Sequence, residues 1–134
     1  MYKKILVAVN DNARALKALS YAEEMAENMS SQLTILFVLK DSQIDSSKRP
    51  EVLEAEAVKI KAKIKKLYPD LPAKGQLIAR EGKNVASIIV SVAEETESDL
   101  IILGSRRLPG ANSVIRRSVA NAVISGSNKP VLIV

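Results

Sequence analysis

Short apolar runs alternate with longer amphipathic segments along this chain of 134 residues, and that alternation admits few folds. Ile5–Val9 (ILVAV) is continuously apolar and rich in β-branched residues, as in a strand covered on both faces. Leu16, Leu19, Ala22, Ala26 and Met29 then recur at helical spacing over Ala13–Met29, with Asn12 placed to cap that helix. Leu33–Val38 (LTILFV) reads as a second buried strand. Lys40–Arg49 is polar and Ser-rich and reads as an exposed loop. Pro50 suits the first turn of a helix whose stripe is Leu53, Ala57, Ile60, Ile64 and Leu67, and Tyr68-Pro69-Asp70-Leu71-Pro72 ends it. Gln76–Arg80 is a more polar strand, suited to a sheet edge. Gly82 marks a turn, and Asn84 can cap a helix with Val85, Ile88, Ile89 and Val92 on one face. Asp99–Leu103 is a fourth strand, a helix ends near Gly126, and Pro130–Val134 (PVLIV) is the fifth strand.

The order is β-α-β-α-β-α-β-α-β. It predicts one α/β domain over residues 1–134, with a doubly wound parallel sheet, right-handed crossovers and helices on both faces. No internal repeat or second domain is visible.

Composition narrows the function. Aromatics are 3% of the chain, with no Trp and one Phe, which leaves little for the stacking platforms of single-stranded nucleic-acid binders. The net charge of +5 is mild, and no concentrated basic stripe suggests duplex binding. The lysines after Leu53 read as a solvated helix face. With no Cys and no His, thiol chemistry, the common zinc sites and His-based triads are excluded. The first apolar run stops at Asn10-Asp11-Asn12, too short for a signal peptide core, and no segment has the length of a membrane span. A soluble, cytoplasmic protein without membrane insertion or a metal site is expected.

In a doubly wound sheet, ligands bind beyond the carboxyl ends of the strands, where the strand order reverses. The first and fourth strands look most central. The loops after them are Asn10-Asp11-Asn12 and the stretch from Gly104 to Val119, GSRRLPGANSVIRRSV. The second holds four arginines and could form an anion site.

Essentially the whole chain resembles the universal stress protein family. The residues that carry this are KKILVAVNDN at the start, QLTILFV in the second strand, DLIILGSRR in the fourth, and SVANAVISGSNKPVLIV at the end. The resemblance implies a three-layer sandwich of the adenine-nucleotide alpha-hydrolase-like type, with strand order 3-2-1-4-5. It also implies a homodimer formed through the last strand, here Pro130, Val131, Leu132, Ile133 and Val134. ATP-binding members carry glycine, two residues, glycine, nine residues, glycine, then Ser or Thr. On this chain the first glycine is Gly104 and the hydroxyl is Ser118, but Arg107 and Arg117 stand at the other two glycine positions. Binders also commonly end the first strand with Asp, where this chain has Asn10. Carried over, the nucleotide site comprises Val9, Asn10, Asp11, Val38, Gly104, Arg106, Arg107, Arg117, Ser118 and Val119.

The glycines of such a cradle let backbone N–H groups approach phosphate oxygens and permit φ > 0. Long side chains there should fill the phosphates' space. Two readings of Arg106, Arg107, Arg116 and Arg117 stay open: a guanidinium clamp replacing the cradle, or a degenerate loop filled with solvated arginines. Asn10 and Asp11 are nucleoside contacts or else strand-end and cap residues; Ser118 is an anion ligand or a plain helix residue. Gly110 after Pro109 reads as a turn, and Asp99 as a structural residue. No paired acidic motif suggests catalysis, and the family implies at most slow hydrolysis. The expectation is a non-enzymatic stress-response protein acting as a homodimer through regulatory partners, with weak or no ATP binding. The alternative is an ATP- or AMP-dependent switch, with Mg²⁺ accompanying ATP.

Overall fold

The computed structural model describes residues 2–9, 13–40, 49–69, 75–104 and 111–134; within these, the side chains of 13–15, 40, 49–50 and 111–118 lie outside the description. Five strands form one parallel sheet in the order β3-β2-β1-β4-β5. The strands are β1 (Lys4–Val9), β2 (Gln32–Lys40), β3 (Gly75–Gly82), β4 (Leu100–Leu103) and β5 (Val131–Ile133). Between them run α1 (Ala13–Met29), α2 (Arg49–Leu67), α3 (Val85–Glu95) and α4 (Ala111–Gly126). The expected alternation and strand order are both present.

β1 sits at the centre, pairing Val7 with Ile35 of β2 on one side and with Ile102 of β4 on the other. Alternate residues of a strand point to opposite faces. Ile5, Val7 and Val9 therefore pack with Leu16, Leu19 and Ala22 of α1 and with Ile60 and Ile64 of α2. Leu6 packs on the other face with Ala86, Ile89 and Val92 of α3 and Val123 of α4. Both cores are apolar, aliphatic but for Phe37 among the buried residues of the first, and continuous with the sheet, which explains the near-unbroken apolar character of β1 and β4.

Three local readings change. The loop expected over Lys40–Arg49 shortens at both ends, because β2 includes Lys40 and α2 begins at Arg49; 41–48 lie outside the described residues, as do Asn12, Pro109 and Gly110. Gly82 is the last residue of β3 rather than a turn beyond it. A Cβ there would stand 2.6 Å from Cδ1 of Ile88, so this glycine lets the strand end approach α3. The buried face of α3 is Ala86, Ile89, Val92 and Ala93, with Val85 and Ile88 on its margins.

α1 and α3 end alike. Ser30 (φ 53) and Glu97 (φ 55) adopt the left-handed conformation. The next amides, of Ser31 and Ser98, reach back to the carbonyls of Ala26 and Ala93 at 2.8 and 2.9 Å. These are Schellman-type exits without the usual glycine. Each turns the chain directly toward the next strand. Among the described residues, no helix is long and apolar enough to cross a membrane.

Candidate functional site

The chain winds outward from β1 through β2 to β3, then returns past β1 to β4 and β5. The reversal lies between β1 and β4, whose last paired residues are Ala8 and Leu103. A ligand crevice is expected beyond Val9 and Gly104. Of the residues predicted there, Asn10, Asp11, Arg106 and Arg107 lie outside the described residues, and so do the side chains of Arg116, Arg117 and Ser118.

The described members divide between the two faces. Val9 is 4% exposed and belongs to the α1/α2 core, leaving its main chain as the part a ligand can reach. Val38 and Val119 are half-buried and pack against the α3/α4 core. Gly104 is half-buried and directly follows β4. The fold brings Val38 and Val119 to one cluster and turns the Val9 side chain away from it.

The backbone of α4 bears on the phosphate cradle. The helix begins at Ala111 and runs unbroken to Gly126. Only the first four N–H groups of a helix lack an acceptor within it. Arg117 and Ser118 lie beyond them, so their amides point back toward the carbonyls of Ser113 and Val114. At two cradle positions, therefore, the main-chain donors are committed to the helix.

Asp99 performs a structural task at the opposite, amino end of β4. Its Oδ2 accepts from the Lys3 amide at 2.9 Å, and its Oδ1 from the Lys4 amide at 3.1 Å. Burial pushes this carboxyl up. The amides of Lys3 and Lys4, its own amide and the charge of Lys129 outweigh that and hold it below its ordinary value. The carboxylate pins β1 beside β4.

Two features were missed by sequence reasoning. A groove of about 330 Å³ lies between α3 and α4, lined by Asn84, Ala86, Ser87, Val90, Ser91, Ala122 and Gly126. Its sequence signal is small residues four apart on each helix, Ser87 with Ser91 and Ala122 with Gly126. Of the predicted nucleotide residues that are described with their side chains, Val9, Val38, Gly104 and Val119 do not line it. Glu81, near the carboxyl end of β3, buries Oε2 without a hydrogen-bond partner among the described residues. No sequence pattern marks that atom. Among the described residues, no group of three or more acidic, His or Cys side chains could hold a metal ion.

At the sheet's far edge, the Pro130 carbonyl accepts from the Ile101 amide at 3.0 Å, and the Val134 amide donates to the Leu103 carbonyl at 2.9 Å. Alternation along a strand then directs the main-chain groups of Val131 and Ile133 to the open edge. The Ile133 side chain is 38% exposed.

Comparison with known proteins agrees with this architecture. A family model described as the universal stress protein family matches residues 1–134. The universal stress protein YxiE of Bacillus subtilis is 29% identical over 149 residues, which span 100% of this chain and 99% of that protein. The solved structure of the hypothetical protein MJ0577 is 28% identical with a TM-score of 0.78, over 100% of this chain and 96% of that one. A universal stress protein solved in complex with cAMP is 23% identical with a TM-score of 0.76, over 99% of this chain and 97% of its own. Another, from Archaeoglobus fulgidus in complex with dAMP, is 23% identical with a TM-score of 0.59, over 98% and 97%.

Proposed function

The chain belongs to the universal stress protein family, and on that premise we propose that it is a non-enzymatic, single-domain cytoplasmic regulator that binds ATP weakly or not at all. The observation that supports this is the unbroken helix from Ala111 to Gly126. It engages the amides of Arg117 and Ser118, which the family's cradle would turn toward phosphate. Arg107 adds a side chain where that cradle has none.

Calorimetric titration with ATP and Mg²⁺ tests the reading. No saturation is expected below about 1 mM, equivalent to about −4 kcal/mol. Saturation well below that concentration would overturn it. The double variant Arg107→Gly/Arg117→Gly should gain measurable affinity. Glycine at 117 weakens the helix by about 1 kcal/mol and releases donors, while glycine at 107 removes bulk.

A second reading is a nucleotide-dependent switch in which the arginines take over the phosphate. Related proteins solved with cAMP and dAMP favour it. Saturable binding of AMP or cAMP by the unmodified chain, lost in Arg107→Ala, would establish this reading over the first.

The open edge of β5 supports a homodimer in which two last strands pair across a two-fold axis. An apolar edge strand left bare invites such pairing. Light scattering should give the mass of two chains, and Ile133→Lys should lower it toward one. An unchanged mass would place the interface elsewhere.

A further inference from the structure

The solvent side of α2 is as ordered in sequence as its buried side. Ile60 and Ile64 face the sheet. At 3.6 residues per turn, the opposite side carries Glu51, Val58 and Lys65, seven residues apart, with Ala55 and Ala62 between them. All five are exposed, and Val58 is 62% exposed. Acidic residues occupy the first half of this face and lysines the second.

We propose that this face binds a second copy of the chain, with two α2 helices packed antiparallel across a two-fold axis at Val58. The sequence is self-complementary about that point. Glu51 of one copy falls between Lys65 and Lys66 of the other, since 51 lies seven residues before the axis and 65 lies seven after. Glu54 meets Lys61 on the same flank. Ala55 meets Ala62, and these small side chains let the two backbones approach around the paired valines. On the remaining flank, Lys59 is already held by Glu56 of its own helix at 3.4 Å, which limits repulsion between the two Lys59 side chains.

The helix dipole alone favours acidic residues in the first turn and basic ones in the last, and so accounts for Glu51, Lys65 and Lys66. It does not account for Glu54 and Lys61 nearer the middle, nor for an apolar centre at Val58 flanked by alanines. Two-fold interfaces require the same patch to complement itself, and this pattern does. The contact is separate from the β5 edge. One helix pair is small beside a standard interface, so proximity rather than mass is the quantity to measure.

The chain has no cysteine, so Val58→Cys introduces a single thiol, and two such thiols meet at the proposed axis. Under copper–phenanthroline oxidation, this variant should form disulfide-linked dimers about tenfold faster than Glu94→Cys, an exposed position on α3, because the contact raises the local thiol concentration. Adding Glu51→Lys and Glu54→Lys to the Val58→Cys chain should slow linkage several-fold. Mixing that chain with one carrying Val58→Cys, Lys61→Glu, Lys65→Glu and Lys66→Glu should restore it as mixed dimers. Equal rates at 58 and 94 would overturn the contact. Fast linkage at 58 that ignores both charge reversals would overturn the antiparallel pairing. The β5 edge is unaltered in every variant, so failure here is distinguishable from failure of the last-strand dimer.

Discussion

α2 and α3 both cross from one parallel strand to the next, yet they are held to the sheet in different ways. α3 has 11 residues and buries Ala86, Ile89, Val92 and Ala93. Its start is capped by Asn84, whose Oδ1 accepts from the Ser87 amide at 3.0 Å. Its end is closed by Thr96, whose Oγ1 donates to the Val92 carbonyl at 2.7 Å. Arg80 of β3 reaches its last residue, Glu95, at 3.3 Å. α2 has 19 residues, and among its described side chains only Ile60 and Ile64 are fully buried. It leaves Val58 and Leu67 62% and 53% exposed. The difference teaches where each helix takes its stability. α3 is fixed from within, by packing and caps, whereas α2 is attached chiefly by two isoleucines, with Val52, Leu53, Glu56 and Ala57 half-buried, and presents most of its remaining described side chains outward.

Truncating one buried isoleucine in each helix is the strongest way to break this comparison. Ile89→Ala should lower unfolding free energy by about 3 kcal/mol, because its cavity is enclosed by sheet and α4 and relaxes little. Ile60→Ala should lower it by about 2 kcal/mol, because α2 has few other anchors and can settle into the space. Urea unfolding followed by circular dichroism measures both. Equal losses would mean that α2 is as rigidly seated as α3. A larger loss at 60 would invert the comparison.

The same contrast separates what could be read from sequence from what could not. Element order was legible, and so was the centre of each inner stripe, Ile60 and Ile64 in α2 and Ile89 and Val92 in α3, since helical spacing and short apolar runs reflect burial directly. Leu67, which the same spacing puts on the α2 stripe, is exposed because it stands in the last turn, at the end of the helix. The Asn84 cap was legible because its chemistry is local. The direction of Val9 was not. A strand covered on both faces carries no polar alternation, so nothing in ILVAV distinguishes residues turned toward α1 from those turned toward α3. The exits at Ser30 and Glu97 lack the glycine that usually marks them. Gly82 signalled a special backbone site but not its cause, which is contact with Ile88, six residues later in sequence and in another element. For the candidate site, motif spacing located Gly104 and Ser118, but the unbroken course of α4 through Ser118 emerged only with the fold. The outward pattern of α2 was visible as a lysine run, and its meaning changes once Val58 is known to be exposed.

The exits of the two helices give the finest version of the comparison. After α3 the chain enters β4 through Asp99, whose carboxylate takes the amides of Lys3 and Lys4 and so ties that exit to β1. After α2 the described residues provide only a local bond, from the Tyr68 amide to the Ile64 carbonyl at 2.7 Å. Asp99→Asn keeps the shape but removes the charge, and one of its two acceptors becomes a donor. At neutral pH the variant should lose about 1 kcal/mol, less than is usual for bonds to a charged group because this site is partly exposed to water. The folded carboxyl lies below its unfolded value. Its contribution is therefore full above the unfolded value and is lost as pH falls through the folded one. The gap between parent and variant should accordingly close on acidification through the carboxylate range and stay constant from there up to neutrality. Thermal unfolding at a series of pH values reads this directly. A gap that is independent of pH would assign the effect to shape rather than charge, and the tether at the end of α3 would then be no more electrostatic than the local backbone bond described at the exit of α2.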